Sequence, residues 1–279
     1  MSGYDLHTHS TYSDGVTSIE ANVAAAATLG LAGIGITDHD TTEPFEDARV
    51  AADAAGIEAV LGTEFSAEER GMSVHVLGFW IDPGYQPLAT ELDRLRHERR
   101  HRAQRIVERF HALDIPISFE RVRALAGDAP IGRPHLAAAV VELGAAGSIT
   151  EVFERYLADG GPAHVPKHAV SPERAVELLV ASGGVAVVAH PGLYGDRSGS
   201  QGLPSEVIER MCEVGLAGIE ADHPDHDPAH RSYYRELAIA LDLVVTAGSD
   251  HHGRAPHDHI GRATTPAAVV EELRCWRLG

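Results

Sequence analysis

The chain has 279 residues, 44% hydrophobic and 23% charged, enough to bury a large core as one big domain or as a domain with an insertion. Its formal charge of −18 argues against general coating of nucleic acid, where a basic surface is expected, but leaves room for a local basic pocket. Eighteen histidines favour metal or phosphate chemistry, whereas two cysteines, Cys212 and Cys275, supply no disulfide framework or thiolate zinc site and point to a reducing cytoplasm.

The first strand is expected over Gly3–His7, with Asp5-Leu6-His7-Thr8-His9 placing both imidazoles on one face by period-2 alternation. His7 falls where the apolar core of a signal peptide would begin. Ser18 caps a helix that runs through the alanines to Leu29 and stops at Gly30. Gly33–Thr37 is a short strand followed by Asp38-His39-Asp40, and a helix near Pro44–Ala55 leads to strand Ile57–Gly62, which ends in Thr63-Glu64. Val74–Phe79 is another strand, with His75 inside it. From about Glu91 to Pro166 the strand signal disappears. Glu91–Leu113 reads as a long arginine-rich helix, and Phe119–Ala126, Pro134–Leu143 and Ile149–Ala158 as shorter ones. Ser171-Pro172-Glu173 restarts the alternation with proline at a first helical position. Ala186–Ala189 then ends in His190-Pro191, Ala217–Ala221 in Asp222-His223, and Leu243–Ala247 in Gly248-Ser249-Asp250-His251-His252. The longest apolar runs, such as Val185–Ala189, are too short to span a bilayer.

Strands alternating with helices imply parallel pairing with crossover connections. The fold class expected is therefore α/β: an irregular, seven-stranded (β/α)7 barrel formed by 1–114 and 165–279, interrupted by a small helical domain at 115–164. In such a barrel the strand ends converge on one face, where active sites form. Nearly every strand here delivers a candidate ligand there: His7, His9, Asp14, His39, Glu64, His75, His190, Asp250 and His252. A lone histidine is more often a hydrogen-bonded or solvated side chain, but nine such residues on one face favour Zn2+, Mn2+ or Fe2+. Nine are too many for one ion and could hold two or three, with a carboxylate bridging. Ions about 3.5–4 Å apart can clamp the attacking and leaving oxygens of a displacement. Asp38 and Asp40 fit better as supports for His39 or its neighbours. Tyr12 suits packing as well as stacking on a substrate, and His257 and His259 read as surface. No glycine-rich phosphate loop and no Gly-x-Ser-x-Gly elbow competes.

His7-Thr8-His9, Thr37-Asp38-His39-Asp40, Gly62-Thr63-Glu64, Ala189-His190-Pro191 and Gly248-Ser249-Asp250-His251-His252-Gly253 together resemble the PHP (polymerase and histidinol phosphatase) family over nearly the whole chain. The resemblance implies a distorted barrel with a di- or trinuclear site. His7, His9, Glu64 and Asp250 would hold one metal, Glu64, His75 and His190 a second, and Asp14, His39 and His252 a third. His251 departs from the pattern, because relatives commonly carry an aromatic residue there, and this leaves its pairing with His252 open.

Gly132-Arg133-Pro134-His135, Gly161-Pro162-Ala163, Val165-Pro166-Lys167 and His223-Pro224-Asp225-His226 resemble the standalone phosphoesterases of that family. These act on nucleoside 5′-phosphates, 3′,5′-bisphosphates or short 5′-phosphorylated RNAs. Arg99, Arg102, Arg133, Lys167 and His223 then become the substrate-facing candidates, with His223 also a candidate proton donor to the leaving group. Arg99 and Arg102 share a helix face, which equally suits a solvated ion-pair face. The expected function is a metal-dependent phosphoesterase with His7, His9, Glu64, Asp250 and His223 at the catalytic centre. A histidinol-phosphate phosphatase would need a pocket for a cationic amino alcohol. A non-catalytic, metal-binding module of the polymerase type would be expected to have lost ligands.

Overall fold

The computed structural model describes residues 3–277 except 128–130, 159, 166–168 and 195–201, and omits the side chains of Arg99 and Arg100. Seven strands form one sheet in sequential order: β1 (Tyr4–Asp5), β2 (Gly33–Ile36), β3 (Glu58–Glu69), β4 (Met72–Phe79), β5 (Val185–Val188), β6 (Leu216–Ile219) and β7 (Val244–Val245). A bridge from Thr8 to His251 ties the extension of β1 to the segment after β7. The result is a distorted seven-stranded barrel. β2 and β5 are buried at every residue, so their continuous apolar runs are those of strands covered on both faces.

The sequence pattern predicts parallel strands throughout, and the structure corrects this at β4. β4 pairs antiparallel with both β3 and β5. The cause is local. Arg70 (φ 49°) and Gly71 (φ 85°) are both left-handed, and they join Glu69 to Met72 as a two-residue hairpin loop that leaves no room for a crossover helix. The reversal matters for function. It puts the first half of β4, with His75 opposite Ser66, at the end of the sheet where the other strands finish.

The helices of the barrel are α1 (Ile19–Thr28), α2 (Phe45–Ala55), α7 (Pro172–Ala181), α8 (Ser205–Glu213), α9 (Pro228–Ala240) and α10 (Ala267–Trp276). Ser18 caps α1 by accepting the Ala21 N–H at 3.3 Å, and Ile19, Val23 and Ala26 bury one face of that helix.

The chain divides into two compact units, 1–92 with 169–279, and 93–168. The division falls within α3 (Gln86–Ala112), ahead of the start at 115 expected from the loss of strand signal. The physical reason is packing. Ala103, Ile106, Val107 and Phe110 of α3 join one apolar cluster with Val122 of α4 (Phe119–Ala126), Leu136 and Val140 of α5 (Arg133–Glu142), and Val152 of α6 (Ile149–Val152).

Close strand approach depends on Gly35 in β2. A Cβ there would lie 2.3 Å from the Leu6 carbonyl oxygen. Gly35→Ala should therefore cost at least the roughly 1–3 kcal/mol of an overpacked core. This would be read as a lower urea midpoint, and an unchanged midpoint would contradict the packing described.

Candidate metal centre

The first candidate ligands come from the continuation of β1. Asp5, His7 and His9 alternate on one face. Asp5 anchors the strand by accepting the N–H groups of Ser249 (2.9 Å) and Gly261 (2.7 Å). The turn after His9 is held by Asp38, which accepts from Ser10 N–H (2.9 Å) and Ser13 Oγ (2.7 Å). Asp40 similarly accepts from Ser66 N–H at 2.7 Å. These two aspartates therefore hold Ser10, Ser13 and Ser66, which flank the candidate ligands His9, Asp14 and Glu64, rather than His39 itself. Asp14, delivered by that turn, faces His252 Nε2 (3.3 Å), His9 Nδ1 (3.6 Å) and His39 Nε2 (3.7 Å).

Glu64, 1% exposed, is surrounded by five imidazoles. Its Oε2 lies 3.1 Å from His9 Nε2, 3.1 Å from His39 Nδ1 and 3.3 Å from His7 Nε2. Its Oε1 lies 2.8 Å from His75 Nδ1 and 3.0 Å from His190 Nε2. Asp250 closes the first of these groups, with Oδ1 3.2 Å from His9 Nε2 and 3.4 Å from His7 Nε2. His190 (φ 26°) and Asp250 (φ 52°) both adopt left-handed backbone, which bends their strand ends sharply into the site. Non-glycine residues pay for such bends, of order 1–3 kcal/mol each. His252 Nδ1 donates to the Asp250 carbonyl (2.8 Å), leaving Nε2 toward Asp14. His251 instead turns its Nε2 to Thr17 Oγ1 (3.2 Å), so of the adjacent pair it is His252 that faces the cluster.

The donor set fits divalent cations. Among the described residues, the buried His7 Nε2, His9 Nε2 and His39 Nδ1 have no hydrogen-bond partner in good geometry despite the carboxylates beside them. Their lone pairs converge where an ion would sit. Among the described residues, four groups of donors come within ion-binding reach: His7, His9, Glu64 and Asp250; His9, Asp14, His39 and His252; His39, Glu64 and His75; and His223, Asp250 and His257. Electrostatics point the same way. Burial would lower the His9 pKa, but Asp250 and Glu64 beside it raise it to about 10. Burial would raise Glu64, yet the surrounding imidazoles hold it well below its usual range. Burial also pushes His39 down to about 3, which keeps its imidazole neutral and able to ligate. Buried carboxylates this close together require compensating positive charge.

Glu220 was not among the candidates read from the sequence. It lies just beyond β6, fully buried, and accepts from His7 Nδ1 through both oxygens at 3.1 Å and from the His190 N–H at 3.0 Å. A carboxylate behind an imidazole fixes the tautomer, here leaving His7 Nε2 free toward Glu64 and Asp250. The only sequence signal was a lone acid after the apolar run Leu216–Ile219. Asp222, the acid noted at that strand end, points away and forms a forked ion pair with Arg235. Gly248 lets the segment after β7 approach this pair, since a Cβ there would meet His7 Cβ at 2.3 Å.

His257, read as surface, is half-buried, 3.3 Å from Asp225 and 3.8 Å from Asp250, whereas His259 is exposed. His223 is fully buried with Nε2 3.5 Å from Asp250 Oδ2. Its Nδ1 accepts the Asp225 N–H at 3.1 Å, so in the neutral ring the proton sits on Nε2. That tautomer donates rather than ligates, which separates the His223 group from the other three. Tyr12 is exposed, and its hydroxyl donates to Asp47.

In the helical unit, Arg133 opens α5 with its guanidinium carbon 5.7 Å from the centre of the Phe153 ring, and Arg102 Nε donates to the Val165 carbonyl at 2.9 Å. The Arg99 side chain and Lys167 lie outside the described residues.

A PHP-domain model matches residues 5–123. The 5′-3′ exoribonuclease Rnm of Escherichia coli is 33% identical over 99% of this chain and 93% of its own length. A phosphoribosyl 1,2-cyclic phosphate 1,2-diphosphodiesterase from Eggerthella lenta is 35% identical over 91% and 96%. A 3′,5′-nucleoside bisphosphate phosphatase from Chromobacterium violaceum is 33% identical over 90% and 88%. A crystal structure from Bifidobacterium adolescentis, of a protein inferred to be a metal-dependent phosphoesterase, superposes with a TM-score of 0.81 at 32% identity, covering 99% and 96% of the two chains. Barrel, buried ligand clusters and these relatives together define a metal-dependent hydrolase of phosphoester bonds. The chain belongs to the PHP family, among its standalone phosphoesterases.

Glu220→Gln should weaken metal affinity about 10- to 100-fold, the usual loss when a supporting carboxylate is removed from a ligating histidine. Competition with a chelator would measure it, and unchanged affinity would show that Glu220 does not tune His7.

Proposed function

We propose that this phosphoesterase acts on nucleotides, as a nucleoside 5′-phosphate, a 3′,5′-bisphosphate or a short 5′-phosphorylated oligoribonucleotide. It would do so with two or three divalent ions of the Mn2+, Fe2+ or Zn2+ type. The observation that carries the reading is the division of the imidazoles between the two oxygens of Glu64. It supports Glu64 as a bridge, with His7, His9 and Asp250 on one side and His75 and His190 on the other. Asp14, His39 and His252 would make the third site. Oxygen and imidazole donors without thiolate suit these metals. The substrate class follows from an exoribonuclease and a bisphosphate phosphatase among the relatives.

When bound, the ions would supply an acidified water nucleophile and charge neutralisation at phosphorus. The chain's own residues do the rest. Asp250 and Glu64 hold negative charge in a buried pocket, and Glu220 keeps His7 in the ligating tautomer. His223 holds a proton on Nε2 beside the site, where it can pass to the leaving alkoxide. Arg133, with Arg99, Arg102 and Lys167, would meet phosphates of the substrate other than the one being hydrolysed.

The test is a contrast between substrates with the Mn2+-loaded protein. Arg133→Ala should cut kcat/KM for a 5′-phosphorylated oligoribonucleotide about 10- to 100-fold, the loss of one charge-assisted contact. It should leave p-nitrophenyl phosphate nearly unchanged. Equal losses on both would place Arg133 at the reacting phosphoryl group and overturn the recognition scheme. No hydrolysis of any nucleotide would overturn the substrate class.

A further inference from the structure

The barrel unit is strongly acidic, with 11 Lys and Arg against 31 Asp and Glu in 1–92 and 169–279, yet three of its arginines converge on one cleft. The cleft, about 500 Å3, is lined by Arg231 and Arg235 of α9 and by Arg262, with Asp222, Pro224, Ala247, Ala263 and Thr264 completing its walls. It lies against segment 222–225, whose other contacts reach the candidate metal centre. Arg231 Nη2 donates to the carbonyls of His223 and Pro224 at 2.9 Å each, while the His223 ring lies 3.5 Å from Asp250. Asp225 joins the two regions: Oδ2 is 3.3 Å from His257 Nε2 and Oδ1 is 3.6 Å from Arg262 Nη1.

Two features separate this cleft from an ordinary ion-pair surface. Arg231 Nε is buried with no hydrogen-bond partner among the described residues, an orphaned donor that a water or an anion in the cleft would satisfy. Among the described residues the three guanidiniums are opposed by two carboxylates, Asp222 on Arg235 and Asp225 on Arg262, so one positive charge is left over. Planar guanidiniums suit the tetrahedral oxygens of a phosphate.

The geometry points to a second anion site: the Arg231, Arg235 and Arg262 cleft binds a phosphate group one chain segment away from the metal centre. The phosphate belongs either to the next linkage of a bound oligonucleotide, which rests on the nucleotide reading, or to a free phosphate ion. Because Asp222 and Asp225 share the cations, the contribution of each is modest.

Two measurements on the Mn2+-loaded protein test this. In crystals soaked with tungstate, an anomalous peak is expected at the three guanidiniums of the wild type and not of Arg262→Ala. In kinetics, Arg235→Ala and Arg262→Ala should each raise KM for a 5′-phosphorylated trinucleotide about 10-fold. The KM for a nucleoside 5′-monophosphate should stay within about two-fold. A peak with both KM values unchanged assigns the site to free phosphate. No peak together with an unchanged trinucleotide KM overturns the proposal, as does an equal loss on both substrates. The tungstate arm needs no nucleotide turnover, so it stands even if the nucleotide assignment fails.

Discussion

The structure depends on one buried carboxylate. Glu64 sits at 1% exposure with five imidazole nitrogens between 2.8 and 3.3 Å from its two oxygens. A lone carboxylate in such a place would be costly, and the cost is met only by cations or protons. Everything nearby follows from supplying that charge in fixed geometry. β3 runs on beyond β2 to carry Glu64 inward, β1 brings His7 and His9, and the antiparallel β4 brings His75. The sharp left-handed bends at His190 and Asp250 then turn two loop residues toward the same point.

Around this centre lies a layer of groups that are not themselves candidate ligands but fix the residues that are. Glu220 holds His7 and the backbone of His190, Asp38 holds the turn that presents Asp14, and the Tyr194 hydroxyl donates to the Ala189 carbonyl while accepting the His75 N–H. Such support makes a preorganised site, because the ligands have little freedom to lose on binding. His223 follows the same logic with the opposite result, since one backbone N–H on Nδ1 commits its Nε2 to carrying a proton.

Much of this was legible in the sequence because ligands at strand ends leave a spacing pattern. His7-Thr8-His9, Asp38-His39-Asp40, Thr63-Glu64, His190-Pro191 and Asp250-His251-His252 each follow a short apolar run. What lay hidden was hidden for physical reasons. Glu220 continues an apolar strand and reads like a solvent-facing acid until β6 is placed beside β5, where its carboxylate meets the His190 N–H and the His7 ring. His257 reaches Asp225 and Asp250 only through the turn in which its carbonyl accepts the N–H groups of His252 and Gly253. The direction of β4 was set by two residues, Arg70 and Gly71, whose left-handed conformations outweigh the alternating pattern of the rest of the chain. His251 and His252 are both plausible ligands by spacing, and only the hydrogen bonds to Thr17 and to the Asp250 carbonyl tell them apart.

On the function proposed above, Glu64 would join two metal ions. Anomalous diffraction from crystals of the Mn2+-loaded protein, collected above and below the manganese edge, tests it directly. Two peaks are predicted, one beside Glu64 Oε2 near His7, His9 and Asp250, the other beside Oε1 near His75 and His190. A single peak, or peaks that do not contact Glu64, would contradict it.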